Sequence, residues 1–126
     1  MLYAILCYDN EAEITAWTKE KDAEVMASLG AVQERLAAQN RLGPVARLQP
    51  TAAAFTLRKG KNAAITDGPF AETKEQLLGF YVIEAASREE AIAIAKDLAA
   101  ASGSAGAFEV RPLLYFRANG PVALPD

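Results

Sequence analysis

Two segments of this chain are apolar on both sides of a predicted β-strand. They are residues 2–8, LYAILCY, and residues 77–85, LLGFYVIEA. Successive side chains of a strand point to opposite faces of its sheet. When one of these faces is exposed to solvent, apolar and polar residues therefore alternate along the strand. These two segments do not alternate in that way. Any sheet that contains them therefore needs an apolar cover on both of its faces.

Helical spacing predicts one helix between these strands and another after the second. The first is capped by Thr18 and ends before Gly43 and Pro44. Its apolar positions recur on one face: Val25, Leu29, Val32 and Leu36. The second begins at the capping box Ser87-Arg88-Glu89-Glu90. Both helices are amphipathic, so each covers part of a sheet.

Three further strands are predicted, at residues 52–58, 63–66 and 108–116, with the first two forming a hairpin. Residues 9–18 and 44–51 are interpreted as connections. The order is then β-α-β-β-β-α-β. Leaving out the short return strand gives βαββαβ, the ferredoxin-like pattern of an α+β fold with an extra hairpin strand.

Two helices can cover only one face of this predicted sheet, although its strands are apolar on both. The simplest cover for the second face is an identical sheet, so we expect a homodimer joined through the sheet faces. The 126 residues suit a single domain, which we assign to residues 1–116, with a tail at 117–126.

The composition excludes several classes of function. The chain has no histidine, a single cysteine and a net charge of −3. It therefore lacks an imidazole general base, a Ser-His or Cys-His nucleophile and any histidine or multi-cysteine metal site. An acidic chain lacks the basic face of nucleic-acid binders, and no phosphate-loop, dinucleotide or EF-hand motif occurs. We expect no cofactor, no metal and no nucleic-acid partner.

The apolar start of the chain is short. Residues 1–8 are followed at once by Asp9, Asn10 and Glu11. A secretory signal needs a basic start and a longer apolar core, and a membrane helix needs about 20 apolar residues. We therefore expect a cytoplasmic protein with no membrane partner.

The segment DGPFAETKE at residues 67–75 carries the most specific information in the chain. Together with the strand that follows, DGPFAETKEQLLGFYVIE, and with FEVRP at 108–112, it resembles the DGPF branch of the YCII-related proteins. The resemblance implies a ferredoxin-like fold that dimerises as a dimeric α/β barrel. It also implies an undefined activity, a His-Asp pair proposed for the wider group, and an association of DGPF proteins with sigma-factor-like regulators. Asp67 can match the acid of that pair, but its imidazole partner is missing here.

Asp67 is the candidate catalytic residue. A carboxylate in a partly apolar cleft can act as a general acid or base because desolvation raises its pKa. Alternatively, Asp67 caps its own turn by accepting the amide hydrogens of residues 68–70.

Five other residues are candidate ligand contacts. Arg58 and Arg111 lie in predicted strands, where an arginine pairs with a carboxylate or binds an anion. Tyr81 offers a hydroxyl or packs in the core. Glu72 and Lys74 form the charged rim of a cleft or a solvated turn.

Three functions remain open. The first is a small-ligand-binding homodimer with a cleft at the DGPF turn, its ligand anionic or aromatic. The second is a lyase-, isomerase- or hydrolase-like enzyme that uses Asp67 as acid or base. The third is a regulatory partner in a sigma-factor system.

Overall fold

The computed structural model describes residues 1–118. Its strands are β1 (Leu2–Asn10), β2 (Leu42–Arg47), β3 (Phe55–Arg58), β4 (Ala64–Asp67), β5 (Glu75–Glu84) and β6 (Ala107–Pro112). Its helices are α1 (Glu11–Thr15), α2 (Lys19–Ala38) and α3 (Arg88–Ala101). None of these helices is long and apolar enough to cross a membrane. The predicted tail lies, from residue 119 onward, outside the described residues.

The main sheet has four strands in the order β2-β5-β1-β6, and all of its pairs are antiparallel. With α2 after β1 and α3 after β5, this is the ferredoxin-like βαββαβ arrangement, so the predicted fold class is confirmed. The helices pack on one face of the sheet. The side chains of Ile5, Ile83 and Leu98 are fully buried between the two layers.

The second strand of the motif is not the one predicted from the sequence. Residues 44–51 were expected to form a connection, but Leu42–Arg47 pairs with β5, with Leu42 opposite Ile83. A register shift accommodates Gly43 and Pro44. Proline has no N–H to donate, and it is tolerated because β2 is an edge strand.

The segment predicted as the second strand instead forms a separate two-stranded sheet. Within residues 1–118, β3 pairs only with β4, from Phe55 opposite Asp67 to Arg58 opposite Ala64. The predicted hairpin is therefore present, but it stands apart from the main sheet. Two other bounds also differ: the short helix α1 lies within the predicted connection 9–18, and the last strand ends at Pro112 rather than at residue 116.

The face of the main sheet turned away from α2 and α3 is the open face. Leu2, Ala4 and Leu6 of β1 and Phe80 of β5 lie on it, half-buried. Their neighbours along the same strands, such as Ile5 and Ile83, lie on the helix side. The two-sided apolar character predicted from the sequence is therefore present, while the described chain places helices on one side only.

Candidate functional site

A mostly apolar cavity lies between α2 and the main sheet, and we call it the helix-side pocket. Its volume is about 140 Å³, and most of its lining is apolar. The sheet and the segment after α3 contribute Cys7, Asp9, Val45, Arg47, Gly79, Tyr81, Ser104 and Phe108, and the helical side contributes Ile14, Trp17, Val25, Met26, Leu29 and Gln33. Gly79 leaves room here for the edge strand, since an added Cβ would lie 2.7 Å from the carbonyl oxygen of Ala46.

Helix caps position Trp17 beside this pocket. The Asn10 side chain accepts a hydrogen bond from the Glu13 amide at the start of α1, and the Thr18 hydroxyl accepts one from the Lys21 amide at the start of α2. Trp17 lies between the two helices, and the Lys21 ammonium sits 5.6 Å from its ring centroid. The only tryptophan of the chain therefore lies at the candidate site.

A small number of polar groups interrupt the apolar lining. Burial and the nearby Asp9 carboxylate raise the pKa of the Cys7 thiol to about 12. Burial, followed by the neighbouring Cys7, raises the pKa of the Tyr81 phenol, although a hydrogen bond with Gln33 opposes that shift. The Asp9 carboxylate accepts a hydrogen bond from the Ser104 hydroxyl. At neutral pH the thiol and the phenol are therefore uncharged hydrogen-bonding groups.

Among the described residues that line this pocket, the cation is Arg47, and it is already paired. The Arg47 guanidinium and the Asp22 carboxylate of α2 are 2.7 Å apart. This hydrogen bond lowers the pKa of Asp22 and raises that of Arg47. With Arg47 matched, Asp9 gives the pocket its negative character. Within residues 1–118 no group of three or more Cys, Asp or Glu side chains is placed to hold a metal ion.

The candidate catalytic residue, Asp67, lies on the two-stranded sheet and is exposed. The Gly68 amide, one of the donors that would serve a cap by Asp67, donates instead to the carbonyl oxygen of Ala54, 2.7 Å away. Gly68 has a φ of +103°, a conformation that glycine adopts readily. A backbone hydrogen bond to Ala54 and a side-chain hydrogen bond from Thr56 to the Gly68 carbonyl therefore hold the DGPF turn. The acid–base role of Asp67 stays a prediction.

The remaining predicted contacts do not converge within one chain. Tyr81 lies on the helix side of the main sheet and lines the pocket, whereas Arg111 lies on the open face and pairs with Glu109. Arg58 lies on the two-stranded sheet, with its guanidinium carbon 5.4 Å from the ring centroid of Phe70. Glu72 and Lys74 are exposed beyond that turn. These residues remain candidates at separate places.

An open groove of about 690 Å³ lies beside the DGPF turn. Tyr8 and Leu77 line it from the main sheet, and Pro69 and Phe70 line it from the turn. The Glu11 carboxylate fixes its far wall, because it accepts hydrogen bonds from the Thr51 amide at 2.8 Å and hydroxyl at 2.5 Å. These bonds lower the pKa of Glu11. The groove is larger than the helix-side pocket.

Sequence reasoning missed several residues of the helix-side pocket. Trp17 falls in the predicted connection 9–18, and Asp9, Met26 and Gln33 are not among the candidate residues. The available signal was a lone tryptophan in a polar stretch, because a large apolar side chain there needs a surface to contact. Gln33 gave no such signal, because a polar residue in a helix usually faces water.

The fold defines an α+β protein of the ferredoxin-like class, with a pocket between its helices and its sheet. Comparison with known families shows which family of this fold class the chain resembles. The family model of the YCII-related domain matches residues 1–117. The chain belongs to the YCII-related family. It is also 55% identical to an uncharacterized protein of Rhizobium meliloti (strain 1021) over 127 aligned positions, which cover 100% of both chains.

Proposed function

We propose that the protein is a homodimer in which each chain binds a small molecule, the size of one aromatic ring and neutral or cationic, in the helix-side pocket. The observation that carries this proposal is a mostly apolar cavity with a few convergent polar groups, the usual form of a small-molecule site. The family has no defined activity, so the ligand is inferred from the chemistry of the pocket alone.

The size of the pocket supports a single ring. An apolar cavity of about 150 Å³ is large enough to bind benzene. The helix-side pocket has a volume of about 140 Å³ and is lined by Trp17, Phe108 and aliphatic side chains. A larger ligand would have to extend out past α2. A ring bound here would gain the free energy of removing its apolar surface from water.

The polar groups of the pocket support a ligand with one hydrogen-bonding substituent and no negative charge. The Tyr81 phenol and the Gln33 amide both line the pocket and can hydrogen-bond to a hydroxyl or amino group. Asp9 would repel an anion, and Arg47 is already paired with Asp22. Of the anionic and aromatic ligands expected from the sequence, the pocket favours the aromatic one.

The apolar open face supports the dimer. Leu2, Ala4, Leu6 and Phe80 have no helix over them in the described chain. A contiguous apolar sheet face that remains in water is unfavourable, and an identical face would bury it through a twofold interface. Self-association is the simplest way to remove this surface from water.

The fluorescence of Trp17 provides a direct test of ligand binding in the helix-side pocket. We expect phenol to change the emission of Trp17 saturably, because the indole lines the pocket that phenol would occupy. Benzoate has a ring of similar size but carries a carboxylate. It should bind at least about tenfold more weakly than phenol, because the Asp9 carboxylate would repel it. Equal responses to phenol and benzoate, or a response that never saturates, would contradict the proposed site.

A matched pair of variants locates the binding. Met26 lines the pocket and is partly exposed, so Met26→Phe can place its ring in the cavity without disturbing the core. We expect Met26→Phe to abolish saturable phenol binding. Met26→Leu conserves volume and should leave it nearly unchanged. If phenol binds both variants alike, it binds elsewhere.

A further inference from the structure

The two-stranded sheet stands off the body of the protein, and we call residues 55–67 the arm. β3 and β4 pair only with each other. On one face of the arm, Thr56 donates a hydrogen bond to the Gly68 carbonyl at 2.9 Å, and Arg58 lies over Phe70. That face is held by its own chain.

The other face of the arm is apolar and uncovered. Phe55, Leu57 and Ile65 share it, and they are 74%, 58% and 69% exposed. A lone two-stranded hairpin is at best marginally stable in water, and a clustered apolar surface of this kind usually marks an interface. The arm therefore requires a partner surface that the described chain does not supply.

The distribution of charge along the chain indicates that the partner surface of the arm belongs to a second copy of this chain. The arm carries Arg58, Lys59 and Lys61 against one carboxylate, Asp67, a net charge of +2. The whole chain has a net charge of −3, so the remainder has −5. Among the described residues, the ion pairs do not include any of the three arm cations. A basic arm and an acidic body are complementary between two copies of the same chain.

The apolar surface of the open face is continuous with the groove at the base of the arm. Leu2, Ala4 and Leu6 of the open face are followed on the same side of β1 by Tyr8, which lines the groove at the base of the arm. Leu77, opposite Tyr8, and Leu48 line the same groove and are partly exposed. Apolar side chains thus lead from the open face towards the arm.

We infer that the arm packs its apolar face against the open-face side of a second copy of this chain and brings Asp67 into the interface between the two. This inference rests on the homodimer of the proposed function and adds a part to it. The arm is then an intersubunit element, and the DGPF turn is the hinge that fixes its direction. Asp67 shares the apolar face of the arm with Ile65, so it would meet groups of the partner rather than of its own chain.

Neighbouring residues of β4 give a matched test. Ile65 lies on the apolar face and Ala64 on the opposite one, and both are exposed. We expect Ile65→Gln to raise the dimer dissociation constant at least about tenfold in sedimentation equilibrium, because two apolar contacts are lost per dimer. Ala64→Gln should stay within about twofold of the unmodified chain. Equal effects of the two substitutions would overturn the inference.

The charge argument has its own test. We expect Lys59→Glu with Lys61→Glu to weaken the dimer and to reduce the salt dependence of its dissociation constant. Lys19→Glu with Lys96→Glu makes the same change in net charge on α2 and α3, and it should weaken the dimer less. An equal loss in the two double variants would show that net charge alone is responsible, which contradicts a role for the arm.

Two measurements separate failure of the arm from failure of the dimer. If the unmodified chain is monomeric, the proposed homodimer fails and the arm has no partner. If it is a dimer that Leu6→Lys dissociates and Ile65→Gln does not, the dimer stands and the arm inference is wrong. Hydrogen exchange of the arm amides should also slow as protein concentration rises through the dissociation constant. If the hydrogen exchange of these amides does not depend on protein concentration, the arm is protected by its own chain, and the inference is overturned.

Discussion

Cys7 shows at the scale of one residue how burial controls chemistry. Cys7 lies in an apolar strand, where a thiol is generally inert. Its pKa of about 12 follows from burial and from Asp9, and both disfavour the thiolate. What the sequence did not predict is that this thiol lines a pocket, because that depends on how α2 packs over β1.

The first prediction concerns the reactivity of Cys7. Because the thiolate is the reacting form, iodoacetamide at pH 8 should alkylate the folded protein far more slowly than the protein in urea. Phenol should slow the reaction further by filling the helix-side pocket. Mass spectrometry of the quenched reaction measures both effects. Rapid alkylation of the folded protein would contradict the burial of Cys7.

The second prediction compares two glycines. A Cβ on Gly106 would lie 2.0 Å from the Tyr8 carbonyl oxygen, whereas a Cβ on Gly30 in α2 would meet no atom within 4 Å. We expect Gly106→Ala to destabilise the fold by more than about 2 kcal/mol, because the backbone has to move. Gly30→Ala should stabilise it by about 1 kcal/mol, because alanine is the better helix former. Urea unfolding measures both, and a Gly106→Ala variant as stable as the unmodified chain would contradict the packing at Gly106.

Among single residues, local spacing predicted contacts only over short distances. Glu109 and Arg111 are two positions apart on one strand face, and Arg111 pairs with this carboxylate, which was one of its two predicted alternatives. Asp67 was correctly expected at a strand end next to a glycine turn. Its surroundings could not be predicted, because they depend on segments distant in sequence, such as Ala54.

At the scale of elements, the caps and the helical spacing were reliable. Thr18 and Ser87 cap α2 and α3 as predicted, through the Lys21 and Glu90 amides. The segment 42–47 was misjudged because Gly43 and Pro44 are typical of turns. They are tolerated in β2 because an edge strand has one side free of the hydrogen-bond ladder.

The third prediction concerns the Asp22–Arg47 pair, which ties α2 to β2. The pKa of Asp22 is lowered in the folded state from its ordinary value of 3.8, so the pair stabilises the fold above that value. Its contribution is lost as the pH falls below 3.8 and through the folded-state pKa. Asp22→Asn should therefore lower the stability at pH 7, and the difference from the unmodified chain should be smaller at pH 2. Urea unfolding at the two pH values measures this, and an undiminished difference at pH 2 would assign the effect to packing.

At the scale of the whole molecule, the open face determines the fourth prediction. We expect two chains of 13.4 kDa to sediment as one dimer at micromolar concentration. Leu6→Lys should yield monomers, because dimerisation would then have to remove two added charges, one from each copy, from water. Ala31→Lys, on the exposed side of α2, is the control and should leave the dimer intact. Monomers of the unmodified chain would contradict the homodimer.

The sequence by itself determined the class of fold. Two-sided apolar strands, two capped amphipathic helices and the order of the elements specify a ferredoxin-like sheet, because those patterns repeat over a few residues and report local burial. Only the tertiary structure decided that residues 42–47 complete the sheet, that residues 55–67 form an arm, and that Trp17, Gln33 and Tyr81 meet at one pocket. These features depend on which distant segments come together, and the free energy of that packing is shared among residues far apart in the chain.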